Sequence, residues 1–261
     1  MPLSERLRTI VDLVPPDSGV VDVGTDHATV PIQLARINPN RKIIGVEYNL
    51  RPYHQAVQKI VNAGLELVVE IRKGYGLDCV EPGEVEVAII AGLGSATTAE
   101  ILRKGKRVVQ GLSRLVLGPM DYAYKLRQYL LLNNYSIQRE LLVHEFRWYE
   151  IIQAHPGDLE SALVRPYPSL SSLHAGMQRL FAREFDYHRY LPLQTMLELV
   201  PLLGEDPEKA SGFLEDKKNN LNRILQNIPE VESTRIRRRE LRSKLETLWE
   251  LKEKLCGLKM S

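Results

Sequence analysis

The 261-residue sequence predicts an α/β protein: a Rossmann-like domain on a mainly parallel sheet, followed by an all-helical region. Three observations carry this expectation. Short apolar, partly β-branched runs alternate with helical patterns over the first 154 residues, as a parallel sheet covered on both faces requires. An acidic, glycine-containing turn follows the first of these runs. Beyond a proline-rich stretch near residue 165 the strand signal ends, and leucines recur at helical spacing.

Taken in order, Leu3, Leu7, Ile10 and Val14 fall on one helical face, which Pro15 and Pro16 terminate. Strand runs follow at residues 20–23, 43–46, 67–71, 85–90 and 115–117, with helical patterns between them. Runs 140–145 and 148–154 lie too close together for a crossover helix and predict an antiparallel hairpin at the sheet edge. Five parallel strands ending in a hairpin match the class I methyltransferase architecture better than a dehydrogenase, whose sixth strand stays parallel.

His155-Pro156-Gly157-Asp158 and Arg165-Pro166-Tyr167-Pro168 bracket a linker, giving an expected division into residues 1–160 and 161–261. In the second part Leu214, Leu221, Leu225 and Ile228 form one stripe, and Leu241, Leu245, Leu248, Leu251 and Leu255 another. Their near-heptad spacing predicts a coiled-coil helical hairpin with Pro229 near its turn.

With 44% hydrophobic and 26% charged residues, the chain can bury one good core and keep enough for a smaller second domain. No apolar segment follows a basic start and no apolar run is long enough to span a bilayer, so secretion and membrane insertion are not expected and the cytoplasm is. Cys79 and Cys256 are too few and too isolated for a disulfide framework or a metal cage. They read as incidental thiols, and no metal is expected. The net charge of +2 is unevenly spread: residues 1–164 carry 18 basic against 19 acidic side chains, residues 165–261 carry 17 against 14. The surplus concentrates in Arg235, Arg237, Arg238, Arg239, Arg242 and Lys244. Such a run either neutralises a phosphate backbone or forms a solvated helix face. Three consecutive arginines splay around the helix and cannot all meet one strand.

The stretch Val20-Val21-Asp22-Val23-Gly24-Thr25-Asp26-His27-Ala28-Thr29-Val30-Pro31 is an apolar run passing through an acidic turn into a helix. A turn of this kind sets a small ligand at the carboxyl edge of a parallel sheet, where helix amides and a carboxylate meet it. Without the full G-x-G-x-x-G spacing, a pyrophosphate-bridged dinucleotide is disfavoured against a ligand lacking phosphates, such as S-adenosylmethionine. Glu47 ends the next strand, 23 residues beyond Gly24, where a carboxylate accepts both hydroxyls of a ribose.

Asp22-Val23-Gly24-Thr25-Asp26-His27-Ala28 with Pro31, then Gly45-Val46-Glu47, Arg51-Pro52-Tyr53, Gly76-Leu77, Glu81-Pro82 and Ala91-Gly92-Leu93-Gly94, resemble the TrmK family of tRNA (adenine-22-N1)-methyltransferases. The resemblance implies an S-adenosylmethionine enzyme with a Rossmann-like catalytic domain, a helical coiled-coil domain and tRNA as partner. It also implies that Asp22, Gly24, Asp26 and His27 line the methionine end of the cofactor and that Glu47 holds the ribose. Tyr75, Gly76 and Leu77 would flank the adenine, and Ala91, Gly92 and Leu93 would form the floor near the methyl group. His27 either orients a carboxylate or caps the following helix.

Three segments depart from the family pattern. Gly74-Tyr75-Gly76-Leu77 stands for Gly-Asp-Gly-Leu, whose aspartate would bond the adenine amine; a tyrosine stacks or donates instead. Gly92-Leu93-Gly94-Ser95 stands for Gly-Met-Gly-Gly, and Gly118-Pro119-Met120 for Gln-Pro-Asn. The chemistry itself requires no catalytic acid or base, because adenine N1 offers an in-plane lone pair and the sulfonium is already activated. A base in folded RNA must be turned out and held. Tyr122, Tyr124 and Arg127 are candidates for that, against a reading in which Tyr122, Leu126 and Tyr129 simply pack along one helix face. The expected function is transfer of methyl to N1 of an adenine in tRNA. A methyltransferase with another acceptor, and a catalytically silent cofactor- or RNA-binding homologue, are the alternatives.

Overall fold

The computed structural model describes residues 3–157 and 207–257. The chain divides into two compact units, Met1–Gly176 and Met177–Ser261. The expected division at 160/161 and the Arg165–Pro168 part of the linker lie outside the described residues.

The first unit opens with α1 (Glu5–Asp12), whose first turn is capped by the Ser4 hydroxyl accepting from the Leu7 N–H. β1 (Val20–Val23), α2 (Thr29–Ile37), β2 (Ile43–Glu47), α3 (Leu50–Asn62), β3 (Val69–Lys73), β4 (Val87–Ala91), α4 (Ser95–Lys104), α5 (Lys106–Val109), β5 (Arg114–Gly118), α6 (Ala123–Leu132), β6 (Tyr135–His144) and β7 (Trp148–Pro156) follow. They build one seven-stranded sheet in the order β3-β2-β1-β4-β5-β7-β6. The first five strands are parallel, and β7 runs antiparallel between β5 and β6. The chain leaves β1 toward β2 on one side and returns to β4 on the other. That switch opens a crevice at the strands' carboxyl ends.

Burial explains the continuous apolar runs. Val20, Ile43, Val87, Ile89 and Val116 pack with Ile10 of α1, Leu34 of α2 and Ile60 of α3 in one core. The alternate strand residues Val21, Ile44, Ala88, Ile90, Leu115 and Leu117 are equally buried and point to the opposite face. Leu102, Leu126 and Leu130, from α4 and α6, are buried as well. Each such aliphatic side chain contributes roughly 1.5–3 kcal/mol relative to exposure.

The elements differ from expectation chiefly at their ends. The third strand begins at Val69 rather than 67, because residues 65–69 close a turn in which the Val68 and Val69 N–H groups both donate to the Leu65 carbonyl; Leu67 is fully exposed. β4 begins at Val87, not 85, since the Glu86 and Val87 N–H groups are taken by the Gly19 carbonyl. Between β3 and β4 the expected helical pattern is absent, replaced by short turns at Tyr75–Asp78, Leu77–Val80 and Glu81–Glu84. β6 starts at Tyr135, well before 140, with a register shift between Ile137 and Arg139 that hides its alternation. His155 and Pro156, expected in the linker, pair with Ser136 and Tyr135 as the end of β7.

The described part of the second unit is α7 (Pro207–Asn227), a 3₁₀ turn at Glu232–Thr234 and α8 (Arg235–Gly257). The two helices pack antiparallel: Glu215 pairs with Lys252, while Arg238 reaches the carbonyls of Leu225 and Ile228. Leu214 and Leu248 are buried, and Leu221, Leu225, Ile228, Leu241 and Leu245 are half-buried. A helical hairpin with Pro229 in its connection is therefore present; the Leu251, Leu255 and Cys256 side chains lie outside those described.

Candidate active site

Parallel pairing of β1 with β2 sets Asp22 beside Gly45 and Val23 beside Val46. The turn after β1 is fastened to β2, because the N–H groups of Gly24 and Thr25 both donate to the Val46 carbonyl, at 2.9 and 3.1 Å. Gly24, Asp26 and Ala28 all take left-handed backbone conformations, with φ of 73°, 48° and 52°. That folding back brings the Asp26 N–H to within 3.3 Å of Glu47 Oε2, while the Asn49 N–H donates to Oε1 at 3.1 Å. Glu47, only 7% exposed, is thus held by one amide on each oxygen.

Asp22 is 6% exposed and accepts from Thr25 Oγ1 at 2.7 Å. Burial pushes its carboxyl pKa up to about 6; the Thr25 hydrogen bond opposes this and the negative charge of Glu47 adds to it. Gly45 on β2 makes room for this arrangement, since a Cβ there would stand 2.7 Å from Ile71 Cδ1 and 3.1 Å from Thr25 Cγ2. His27 does not cap α2, whose N-cap is Ala28 with no side-chain bond. Its Nε2 lies 3.7 Å from Asp26 Oδ2, both side chains being exposed.

The loop after β3 is tied to the same strand end by the Gly74 N–H, which donates to the Glu47 carbonyl at 3.1 Å. There the Tyr75 ring meets Tyr48 edge-on at 5.6 Å, and its hydroxyl donates to Glu100 Oε2 at 3.2 Å. Gly76 has φ of 62°. Leu77 is buried against Gly105, so only its backbone is available to a ligand. From the other side of the switch, Ala91 pairs with Gly118, and Gly92 takes φ of 93°. Leu93 turns its side chain toward Gly24, with Cδ2 at 3.5 Å from where a Cβ would stand.

The structure therefore gathers Asp22, Gly24, Asp26, Glu47 and Leu93 along one edge, with the Tyr75 and Ala91–Gly92 segments attached. Sequence reasoning missed Thr25, Tyr48 and Asp121. Asp121 accepts from the Ser95 N–H at 2.8 Å and so joins the loop after β5 to the start of α4. Only the three-residue spacing of Asp22 and Thr25 could have signalled one of these partnerships; the others cross between distant loops.

Arg127 is corrected by the structure. It is fully buried, with Nε donating to both oxygens of Glu140 at 2.9 Å and Nη2 to Glu150 Oε2 at 2.7 Å. It pins α6 to the β6–β7 hairpin and cannot meet RNA. The packing alternative holds for Leu126, which is buried, but not for Tyr122, which is 63% exposed, with Lys125 Nζ 4.6 Å from its ring centroid. Within the basic run Arg235, Arg237, Arg239 and Arg242 are exposed, whereas Arg238 is occupied by the α7 carbonyls and Lys244 is half-buried.

A family model described as a methyltransferase domain matches residues 3–152. The tRNA (adenine(22)-N(1))-methyltransferase of Bacillus subtilis (strain 168) is 32% identical over 176 residues, covering 67% of this chain and 72% of that protein. The chain belongs to the TrmK family. Among solved structures, a protein in the NADB-Rossmann superfamily from Streptococcus agalactiae shares the fold with a TM-score of 0.76 at 25% identity, covering 97% of this chain and 98% of that one. M. capricolum TrmK, solved with S-adenosyl-homocysteine, gives a TM-score of 0.68 at 21% identity, covering 97% and 99%. TrmK membership agrees with the strand order and with the acids at adjoining strand tips.

Proposed function

We propose that this protein transfers a methyl group from S-adenosylmethionine to N1 of an adenine in tRNA. One observation carries the cofactor reading: the Glu47 carboxylate has each oxygen held by a single backbone N–H. A carboxylate offers about four acceptor positions, so two remain for a vicinal diol such as a ribose. The residues around it fit the rest of the ligand. Gly24 and Gly92 supply left-handed turns that side chains rarely adopt, and Asp22 and Asp26 place negative charge beside the turn. When bound, the cofactor supplies a methyl group already activated on a sulfonium.

The chain's own part is alignment and exclusion of water. Glu47 fixes the sugar, Asp22, Asp26 and His27 the methionine end, and Tyr75, Gly76 and the Leu77 backbone the adenine. Ala91, Gly92 and Leu93 form the floor on which the target base meets the methyl group. No side chain serves as general base, since N1 attacks through its own lone pair. Residues 1–160 act as the cofactor domain and 161–261 as the RNA-contacting domain, with Arg235, Arg237, Arg239, Arg242 and Lys244 toward phosphate. A tRNA substrate implies the cytoplasm; among the described residues no helix is long and apolar enough to cross a membrane.

The test is transfer of labelled methyl from S-adenosylmethionine to unmodified tRNA, followed by mapping of the modified base. The expected product carries label on N1 of one adenine. Cofactor binding without transfer indicates a silent homologue, and transfer to a free metabolite but not to RNA indicates another acceptor; either outcome contradicts the proposal.

A further inference from the structure

Outside the cofactor edge, two cations of the first unit stand together, and neither forms an ion pair with a described carboxylate. Arg6 and Arg147, from α1 and from the turn between β6 and β7, each place the guanidinium carbon near the centroid of the Tyr149 ring, at 4.8 and 4.7 Å. Their terminal nitrogens share one neighbour, the Met120 sulfur, at 3.9 and 3.3 Å. A thioether is a weak acceptor, so most of the donor capacity of two guanidiniums stays unused. The Nε of each is buried with no hydrogen-bond partner. Among the described residues no carboxylate lies within ion-pair distance of either guanidinium. The nearby Glu145 accepts from the Arg6 backbone N–H at 2.8 Å; that bond and, more weakly, the Arg6 charge hold its carboxyl below the usual range while leaving the guanidinium donors free. Phe146, at the tip of the same turn, is 82% exposed and lies edge-on to Tyr149 at 5.6 Å.

This cluster adjoins the methyl-transfer edge through Met120, whose N–H donates to the Leu93 carbonyl at 2.9 Å. We propose that Arg6, Arg147 and Phe146 form the acceptor-side docking patch for RNA, the two guanidiniums taking a backbone phosphate and Phe146 stacking on an unpaired base beside the target adenine. The proposal rests on the tRNA reading above. Charge complementarity selects the occupant: paired guanidiniums present forked donors matched to phosphate oxygens, and an exposed aromatic ring offers a stacking face that any base can use. Gly118-Pro119-Met120 lacks the two polar side chains of the Gln-Pro-Asn pattern, and cations from elsewhere in the chain converge on that loop.

The full chain carrying Arg147→Gln or Phe146→Ala tests this against the wild type. Readouts are tRNA affinity across a salt series, KM for tRNA, and calorimetric affinity for S-adenosylhomocysteine. With Arg147→Gln the slope of log affinity against log salt falls by about 1. With Phe146→Ala the KM for tRNA rises about 5- to 100-fold. Cofactor affinity stays at the wild-type value in both. If the wild type methylates tRNA and both variants match it in slope and KM, the patch is refuted while the function stands. A wild type that binds no tRNA refutes the function and the patch together. A change in sedimentation of the free protein with RNA affinity unaltered identifies a self-association surface and overturns the proposal.

Discussion

Asp22 shows how a single buried carboxylate couples binding to pH. Its pKa is raised from 3.8 to about 6, so between those values the folded protein holds a proton that the unfolded chain has released. Its contribution to stability is therefore most favourable below pH 3.8 and declines as pH rises through about 6. A cationic ligand favours the ionised form, so affinity should run the other way. Calorimetry with S-adenosylmethionine is expected to show affinity falling as pH drops below about 6, with that dependence lost in Asp22→Asn. The variant should bind at least about tenfold more weakly at neutral pH, a loss of about 1.4 kcal/mol, yet be no less stable than wild type without ligand. A variant that keeps both affinity and pH profile would remove Asp22 from the site. Asp22, Gly24 and Glu47 were legible in the sequence because each sits at the end of an apolar run. Thr25 was not, because its role depends on the empty space that Gly45 leaves across the β1–β2 pair.

Among the elements, the hairpin and the helical tail each depend on one arginine. Removing Arg127 leaves the buried Glu140 and the half-buried Glu150 without their shared cation. Arg127→Ala should cost about 3–5 kcal/mol in chemical denaturation, since an uncompensated buried charge is expensive. In the tail, Arg238 donates to carbonyls at the end of α7, satisfying acceptors that a helix terminus leaves open. Arg238→Ala should lower stability by about 1–2 kcal/mol. Arg237 and Arg239 are both exposed but lie on nearly opposite sides of the helix, so Arg237→Gln/Arg239→Gln should leave stability unchanged and reduce the salt slope of tRNA binding by about 1. Should the double variant retain the wild-type slope, the tail does not contact phosphate. Strand centres and the edge hairpin could be read from apolar runs. Element ends could not, because they are set by turns such as that at Leu65 and by the register shift within β6, neither of which leaves a periodic trace. The internal roles of Arg127 and Arg238 are hidden for a related reason: charge in a sequence does not reveal which cation is consumed internally.

For the molecule as a whole, the parallel sheet brings residues far apart in sequence to one edge, and the order of the strands decides which ones meet. Asp22, Glu47 and Leu93 belong to three successive strand ends, and the switch between β2 and β4 on either side of β1 makes them neighbours. The overall architecture was legible because five apolar runs and a short hairpin admit few topologies. The patch around Tyr149 was not, because α1, the loop after β5 and the β6–β7 turn converge only in three dimensions. The most direct measurement is a crystal structure of the protein soaked with S-adenosylmethionine, paired with a calorimetric titration. The account predicts measurable heat and density for the ligand between Gly24 and Leu93, with both ribose hydroxyls on Glu47. An empty edge and no heat would contradict it.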